Sequence, residues 1–257
     1  MDQYLSSASL KSLAKGQLLG KYGTVTAAYF IHFICVLVIN WSITLLIASN
    51  SLAGIFLTAA ASFLLSLFSG YFIAGEAYIY LKIACNQKPL VSDLFHFFRG
   101  DTAKVLSIRV VTAGVAAVSM LPASVASYFV TRTLPGASVL VNDAYEGAPL
   151  FLLFAVLLLA GVIVSTYVEL MLSQAFFLML DFPDYPAARI IQMSIRLMKG
   201  NMGRLLYIEL SFIPLLLLGS LSCGIGLLWV LPYLAATQAN FYLDLVRKKP
   251  VSETASM

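Results

Sequence analysis

Six apolar stretches divide this chain, at 24–49, 52–82, 105–130, 150–180, 205–221 and 227–246, and the segments between them are short, polar or basic. A hydrocarbon core takes about 20 apolar residues per helix, so each stretch predicts a membrane-crossing helix. Three further segments place apolar residues at helical spacing with polar ones on the remaining face. In the first, Leu10, Leu13, Ala14 and Leu18 oppose Lys11 and Lys15. In the second, Leu90, Leu94, Phe97 and Phe98 share a face, with Asp93, His96 and Arg99 elsewhere around the helix. In the third, Ala187, Ile190, Ile191, Ser194 and Met198 face one way and Arg189, Gln192, Arg196 and Lys199 another. Each reads as an amphipathic helix lying in the membrane interface. Asn50 with Ser51, and the tetrad Cys223-Gly224-Ile225-Gly226, predict tight outer turns, 131–149 a polar outer loop, and Pro122 a tolerated kink in the third span.

The expected fold class is therefore all-α: a polytopic membrane protein of six transmembrane helices arranged as three hairpins, each preceded by a cytoplasmic amphipathic helix. The chain reads as one membrane domain over 1–257, with repeat units at about 4–85, 88–181 and 185–249 and a polar tail at 250–257. Of the sixteen Lys and Arg, only Arg132 falls on the far side of this arrangement. That asymmetry puts both termini in the cytoplasm and the loop around Asp143 and Glu146 outside, in a multi-pass protein of the plasma membrane.

Composition sharpens the picture. Hydrophobic residues make up 60% of the 257 and charged residues 11%, against about 25% charged in soluble domains, which excludes a soluble globule. The net charge of +4 is spread between apolar runs, so it reads as orientation and not as a nucleic-acid surface. Cys35, Cys85 and Cys223 are far apart and odd in number, with neither disulfide nor zinc spacing. The first apolar run is too long for a signal-peptide core and is expected to stay as a span.

A repeat is visible at the inner ends of the odd spans. Gly20 with Lys21, Gly100 with Lys104, and Gly200 with Arg204 each precede a span, and 98–106 aligns without gaps on 198–206. Ile79-Tyr80-Leu81-Lys82-Ile83 resembles Phe241-Tyr242-Leu243-Asp244-Leu245 and, more loosely, Phe176-Phe177-Leu178-Met179-Leu180. Parallel repeats of this kind imply a pseudo-axis along the membrane normal. Ser194-Ile195-Arg196-Leu197-Met198-Lys199-Gly200, Glu209-Leu210-Ser211-Phe212-Ile213, the run Gly224-Ile225-Gly226-Leu227-Leu228-Trp229-Val230-Leu231-Pro232-Tyr233, and then Phe241-Tyr242 together resemble the bacterial family catalogued as domain of unknown function 975. The similar layout extends over most of the chain, with one departure at Ile213-Pro214, where the family pattern has an aromatic. The resemblance implies a multi-span bacterial membrane protein and supplies no reaction or catalytic residue.

Catalytic signatures are missing from the sequence: no GxxxxGK[ST], HExxH, GxSxG or strand-linked GxGxxG occurs. His32 and His96 lie in different segments without a second ligand at metal spacing, so neither metal nor cofactor is expected. What stands out is Glu76, Glu169 and Glu209 inside predicted spans, with Arg109 near the start of the third. Charges at mid-membrane cost at least about 2.5 kcal/mol and mark function or a polar contact. Arg109 and Glu209 fall at equal positions after Gly100 and Gly200, which makes them a candidate ion pair. Aligning the returning spans on Tyr80, Phe177 and Tyr242 puts Glu76, Ser173 and Gln238 at one depth, with Gln174 beside them, as a candidate polar or coupling layer.

Two function classes fit. The first is an integral membrane protein without enzymatic activity, a scaffold, accessory or immunity-type component. Its partners are the lipid bilayer, anionic lipids at the cytoplasmic face and another membrane protein, with no nucleic acid. The alternative is a small ion-coupled transporter using Glu169 and Glu76 as proton or cation sites. The absence of paired helix breaks in the sequence counts against it.

Overall fold

The computed structural model describes residues 4–47, 51–98, 100, 102–133 and 143–248, with the main chain alone at 132–133 and 143–148. Asn50 of the first outer turn, 134–142 of the outer loop, Arg99, Asp101, Lys249 and the tail 250–257 lie outside the described residues.

Every element among the described residues is helical. The order is α1 Ser7–Leu18, α2 Tyr22–Leu46, α3 Leu52–Ala84, a 3-10 helix at Val91–Phe98, α4 Thr102–Thr133, α5 Asp143–Leu172, α6 Ala175–Asp181, α7 Ala187–Met198, α8 Met202–Leu210, α9 Ile213–Leu221 and α10 Leu227–Lys248. Five segments are long and apolar enough to cross a membrane: Tyr22–Leu46, Leu52–Ala84, Thr102–Thr131, Pro149–Asp181 and Met202–Leu221. They expose many large apolar side chains, among them Phe30, Trp41, Leu64, Leu159 and Leu217. Patches of this kind mark a surface meant for lipid or a partner.

Three elements differ from the sequence expectation. The sixth expected span, α10, is 22 residues long but is not among those five segments, because its buried face carries Thr237, Asn240 and Asp244. The second amphipathic segment is a 3-10 helix. Its three-residue turn stacks Leu94 over Phe97, both buried, and leaves Leu90 and Phe98 exposed. Gly75 on α3 sits so close to the Leu94 main chain that a Cβ there would collide with it. The fourth and fifth spans are each interrupted, at Ser173–Gln174 and at Ser211–Phe212.

The chain forms two compact units. The first comprises Met1–Cys35, Ser69–Ile108 and Leu170–Met257, and the second Val36–Phe68 and Arg109–Glu169. In the first, α10 is the central element, burying Ala236, Ala239, Phe241, Tyr242 and Leu245, and α1 packs along it. Ser6 caps α1 by accepting from the Ser9 N–H at 3.2 Å. Arg204 holds Asp244 at 2.9 Å, and the Asp244 carboxylate also accepts from the Leu5 N–H at 3.3 Å. The N-terminal stretch is thereby tied to α8 and α10.

Burial in α1 and the start of α2 repeats in α7 and α8. Leu10, Ala14, Leu18, Val25 and Ala28 are buried in the first pair, and Ile190, Ser194, Met198, Leu205 and Ile208 in the second. Both linkers turn on a glycine with positive φ, Gly20 at 75° and Gly200 at 86°, a conformation that costs other residues a steric penalty.

In the second unit, α4 and α5 approach closely where Gly161 meets the Ser119 carbonyl. Small residues permit such backbone contact between spans.

Candidate functional site

Within the first unit, α3 presents Ser69, Phe72 and Glu76 along one face, as their helical spacing requires. His32 of α2 lies against all three. Its Nδ1 is 2.8 Å from Glu76 Oε1, its Nε2 is 3.0 Å from Ser69 Oγ, and its ring stacks on Phe72 at 5.0 Å. In the neutral ring, Nδ1–H donates to Glu76 and Nε2 accepts from Ser69. In the imidazolium both nitrogens donate. The side chains of His32 and Glu76 are only 13% and 16% exposed. Phe72 is itself enclosed by Phe95 and Phe98 of the 3-10 helix, and Tyr29 and Tyr80 lie within the field of Glu76. The arrangement joins a carboxylate, an imidazole and a hydroxyl in one hydrogen-bonded line.

The other expected residues of this unit find different partners. Gln238 Nε2 donates to Glu209 Oε1 at 3.0 Å, linking α10 to α8. Gln174 is fully buried and donates to Ser173 Oγ at 2.9 Å. Its Oε1 has no hydrogen-bond partner among the described residues. Ser173 in turn donates to the Leu170 carbonyl.

Within the second unit, a cavity of about 480 Å³ contains Arg109 and Glu169 in its walls. The wall from α3 supplies Thr58, Ser62 and Ser66, that from α4 supplies Arg109 and Thr112, and α5 supplies Glu169. Arg109 Nε donates to the Ser66 carbonyl at 3.0 Å. Glu169 is the carboxylate whose field acts on Arg109, yet the two form no direct ion pair among the described residues. The carboxylate beside Arg109 is thus Glu169, while Glu209 takes Gln238.

Sequence reading missed His32 as a partner of Glu76, because the two lie on separate helices with no shared motif. The available signal was that both are ionisable residues inside apolar runs, His32 about three turns after Lys21 and Glu76 about 1.7 turns before Lys82. Arg204 and Asp244 were read as a flanking basic residue and a repeat position, not as a pair. No group of three His, Cys, Asp or Glu side chains close enough to hold a metal ion occurs among the described residues.

A family described as "Protein of unknown function (DUF975)" matches residues 1–249. No curated protein matches the chain, and no solved structure does.

Proposed function

The chain belongs to the DUF975 family of unknown function over nearly its whole length, and from that premise we propose that it is a proton-coupled carrier of a bacterial plasma membrane. The observation that carries this reading is the 2.8 Å contact of His32 with Glu76 between two apolar helices. Ionisable groups in such places are costly, and chains of Asp, Glu and His are the usual proton relays of pumps and transporters. Ser69 extends the line to a third exchangeable proton.

The carrier has six spans, α10 being the sixth. They form three parallel hairpin units whose amphipathic helices and termini lie on the cytoplasmic side. The matching burial of α1–α2 and α7–α8 supports the repeat. The fourth and fifth spans are interrupted at Ser173–Gln174 and Ser211–Phe212, although at different places in their hairpins, so they lend the carrier reading only local irregularity.

An enzymatic reading of Ser69, His32 and Glu76 as a nucleophile relay is weaker. Ser69 lies inside α3, where its own N–H serves the helix and not an oxyanion.

The test is electrical. Proteoliposomes on a solid-supported membrane, given a pH step, should show a transient proton-binding current that Glu76→Gln removes. A current unchanged in that variant would overturn the proposal.

The exposed Arg189, Arg196 and Lys199 beside the buried face of α7 favour a second reading, an accessory protein acting through anionic lipids. Loss of vesicle binding on neutralising these three, with no pH-step current in the parent protein, would favour it.

A further inference from the structure

From the second unit's cavity we infer a binding site for a small zwitterionic solute, one carrying both a carboxylate and an ammonium group, as amino acids and short peptides do. The inference rests on the carrier reading only in calling that solute a substrate.

Arg109 is anchored by one bond, Nε to the Ser66 carbonyl. Its two terminal nitrogens find no hydrogen-bond partner among the described residues. A planar fork held in this way matches a carboxylate bidentately.

Glu169 lines the same cavity and accepts no hydrogen bond among the described residues. It supplies the opposite pole. Two opposite charges that line one cavity and form no ion pair with each other can both be satisfied by a dipolar solute. Burying either charge unpaired among apolar helices is otherwise expensive.

The hydroxyls beside Arg109 are already committed. Ser66 Oγ donates to the Phe63 carbonyl, and Thr112 Oγ1 to the Arg109 carbonyl. The guanidinium is therefore the donor left for a carboxylate. The volume of about 480 Å³ falls within the 300–1,000 Å³ common for small-molecule sites. A solute with one charge satisfies only one wall.

The experiment measures binding to the full-length protein in lipid nanodiscs by calorimetry, with no gradient imposed. The probes are glycine, leucine and glycyl-leucine, set against isocaproate and isoamylamine, which are leucine without its ammonium and without its carboxylate. At least one zwitterion should bind, and its singly charged analogues should bind about tenfold more weakly or worse. Arg109→Gln and Glu169→Gln should each weaken zwitterion binding by a similar factor.

The inference is overturned if no zwitterion binds, if isocaproate or isoamylamine matches leucine, or if Glu169→Gln has no effect. The analogue series uses the unaltered protein, so a variant that misfolds does not remove the test. Zwitterion binding without a pH-step current would sink the carrier reading and leave this site standing.

Discussion

His32 and Glu76 meet at 2.8 Å between α2 and α3, with Ser69 on the far nitrogen of the imidazole at 3.0 Å. Neither residue needs the other for its own helix, so the contact is a tertiary bond whose strength a mutant cycle measures. Interhelical hydrogen bonds in membranes contribute about 0.6 and at most about 1.7 kcal/mol. His32→Phe and Glu76→Leu should each destabilise the protein, and the double variant should recover about 1 kcal/mol of the summed loss. Equilibrium unfolding in mixed micelles gives the number. Strict additivity would mean that the contact contributes no coupling.

Asp244 is the most enclosed carboxylate partner in the first unit, with its side chain 0% exposed and Arg204 27% exposed. Removing it strands Arg204 and the Leu5 N–H together. Asp244→Ala should cost about 3 kcal/mol, the lower end for a broken buried pair because Arg204 retains some water. An effect below about 0.5 kcal/mol, the usual limit for surface positions, would show that the N-terminal stretch is held by other contacts.

Gly75 and Gly16 should respond to alanine in opposite directions. A Cβ at Gly75 runs into the Leu94 main chain, while one at Gly16 meets nothing within 4 Å. Gly16 lies inside α1, where alanine is favoured over glycine by about 0.5–1 kcal/mol. Gly75→Ala should therefore lower the melting temperature and Gly16→Ala should raise it. Equal shifts would contradict the packing of the 3-10 helix against α3.

Two native thiols report the orientation. Cys223 and Cys85 are both exposed, the first in the turn between α9 and α10 and the second just after α3, which the proposed topology places on opposite sides. In intact cells an impermeant maleimide should label Cys223 at once and Cys85 only after permeabilisation. The reverse order would invert the topology. Cys85 has a second signature, because partial burial and then the negative Asp181 hold its thiol above the ordinary range. Less thiolate is present at neutral pH, so alkylation should be slow and rise with pH. Removing the negative charge lowers the thiol's pKa, so Asp181→Asn should speed alkylation at neutral pH in permeabilised cells.

The parts of the fold that were legible in the sequence were those governed by local period. α1 and α7 bury the expected Leu10, Ala14, Leu18, Ile190, Ser194 and Met198, because apolar spacing and opposing charge both point to one face; Leu13, expected on that face, is exposed because it lies at its margin. The glycine turn at Cys223 and Gly224, both at positive φ, was legible for the same reason. The segment at 91–98 was not, because Leu90, Leu94, Phe97 and Phe98 fit an α period, while Gly75 leaves room for a tighter 3-10 turn pressed against α3. The run 227–246 reads as apolar by its overall composition, which hides Thr237, Asn240 and Asp244, polar residues that serve a packed interior. In the candidate site, Glu76, Glu169 and Arg109 could be picked out by the cost of burying a charge, whereas His32, a side chain that can be neutral at little cost, could not. Which of them meet depends on how helices pack, so neither the contact of His32 with Glu76 nor the action of Glu169 on Arg109 could be read from spacing.

Proton movement tied to solute entry tests the account most directly. Proteoliposomes loaded with a pH-sensitive dye, given an external zwitterion that binds the cavity, should acidify inside as the solute enters. Glu76→Gln should abolish the acidification, and Glu169→Gln should abolish entry. Solute uptake with no change of internal pH, or acidification that survives Glu76→Gln, would contradict the account.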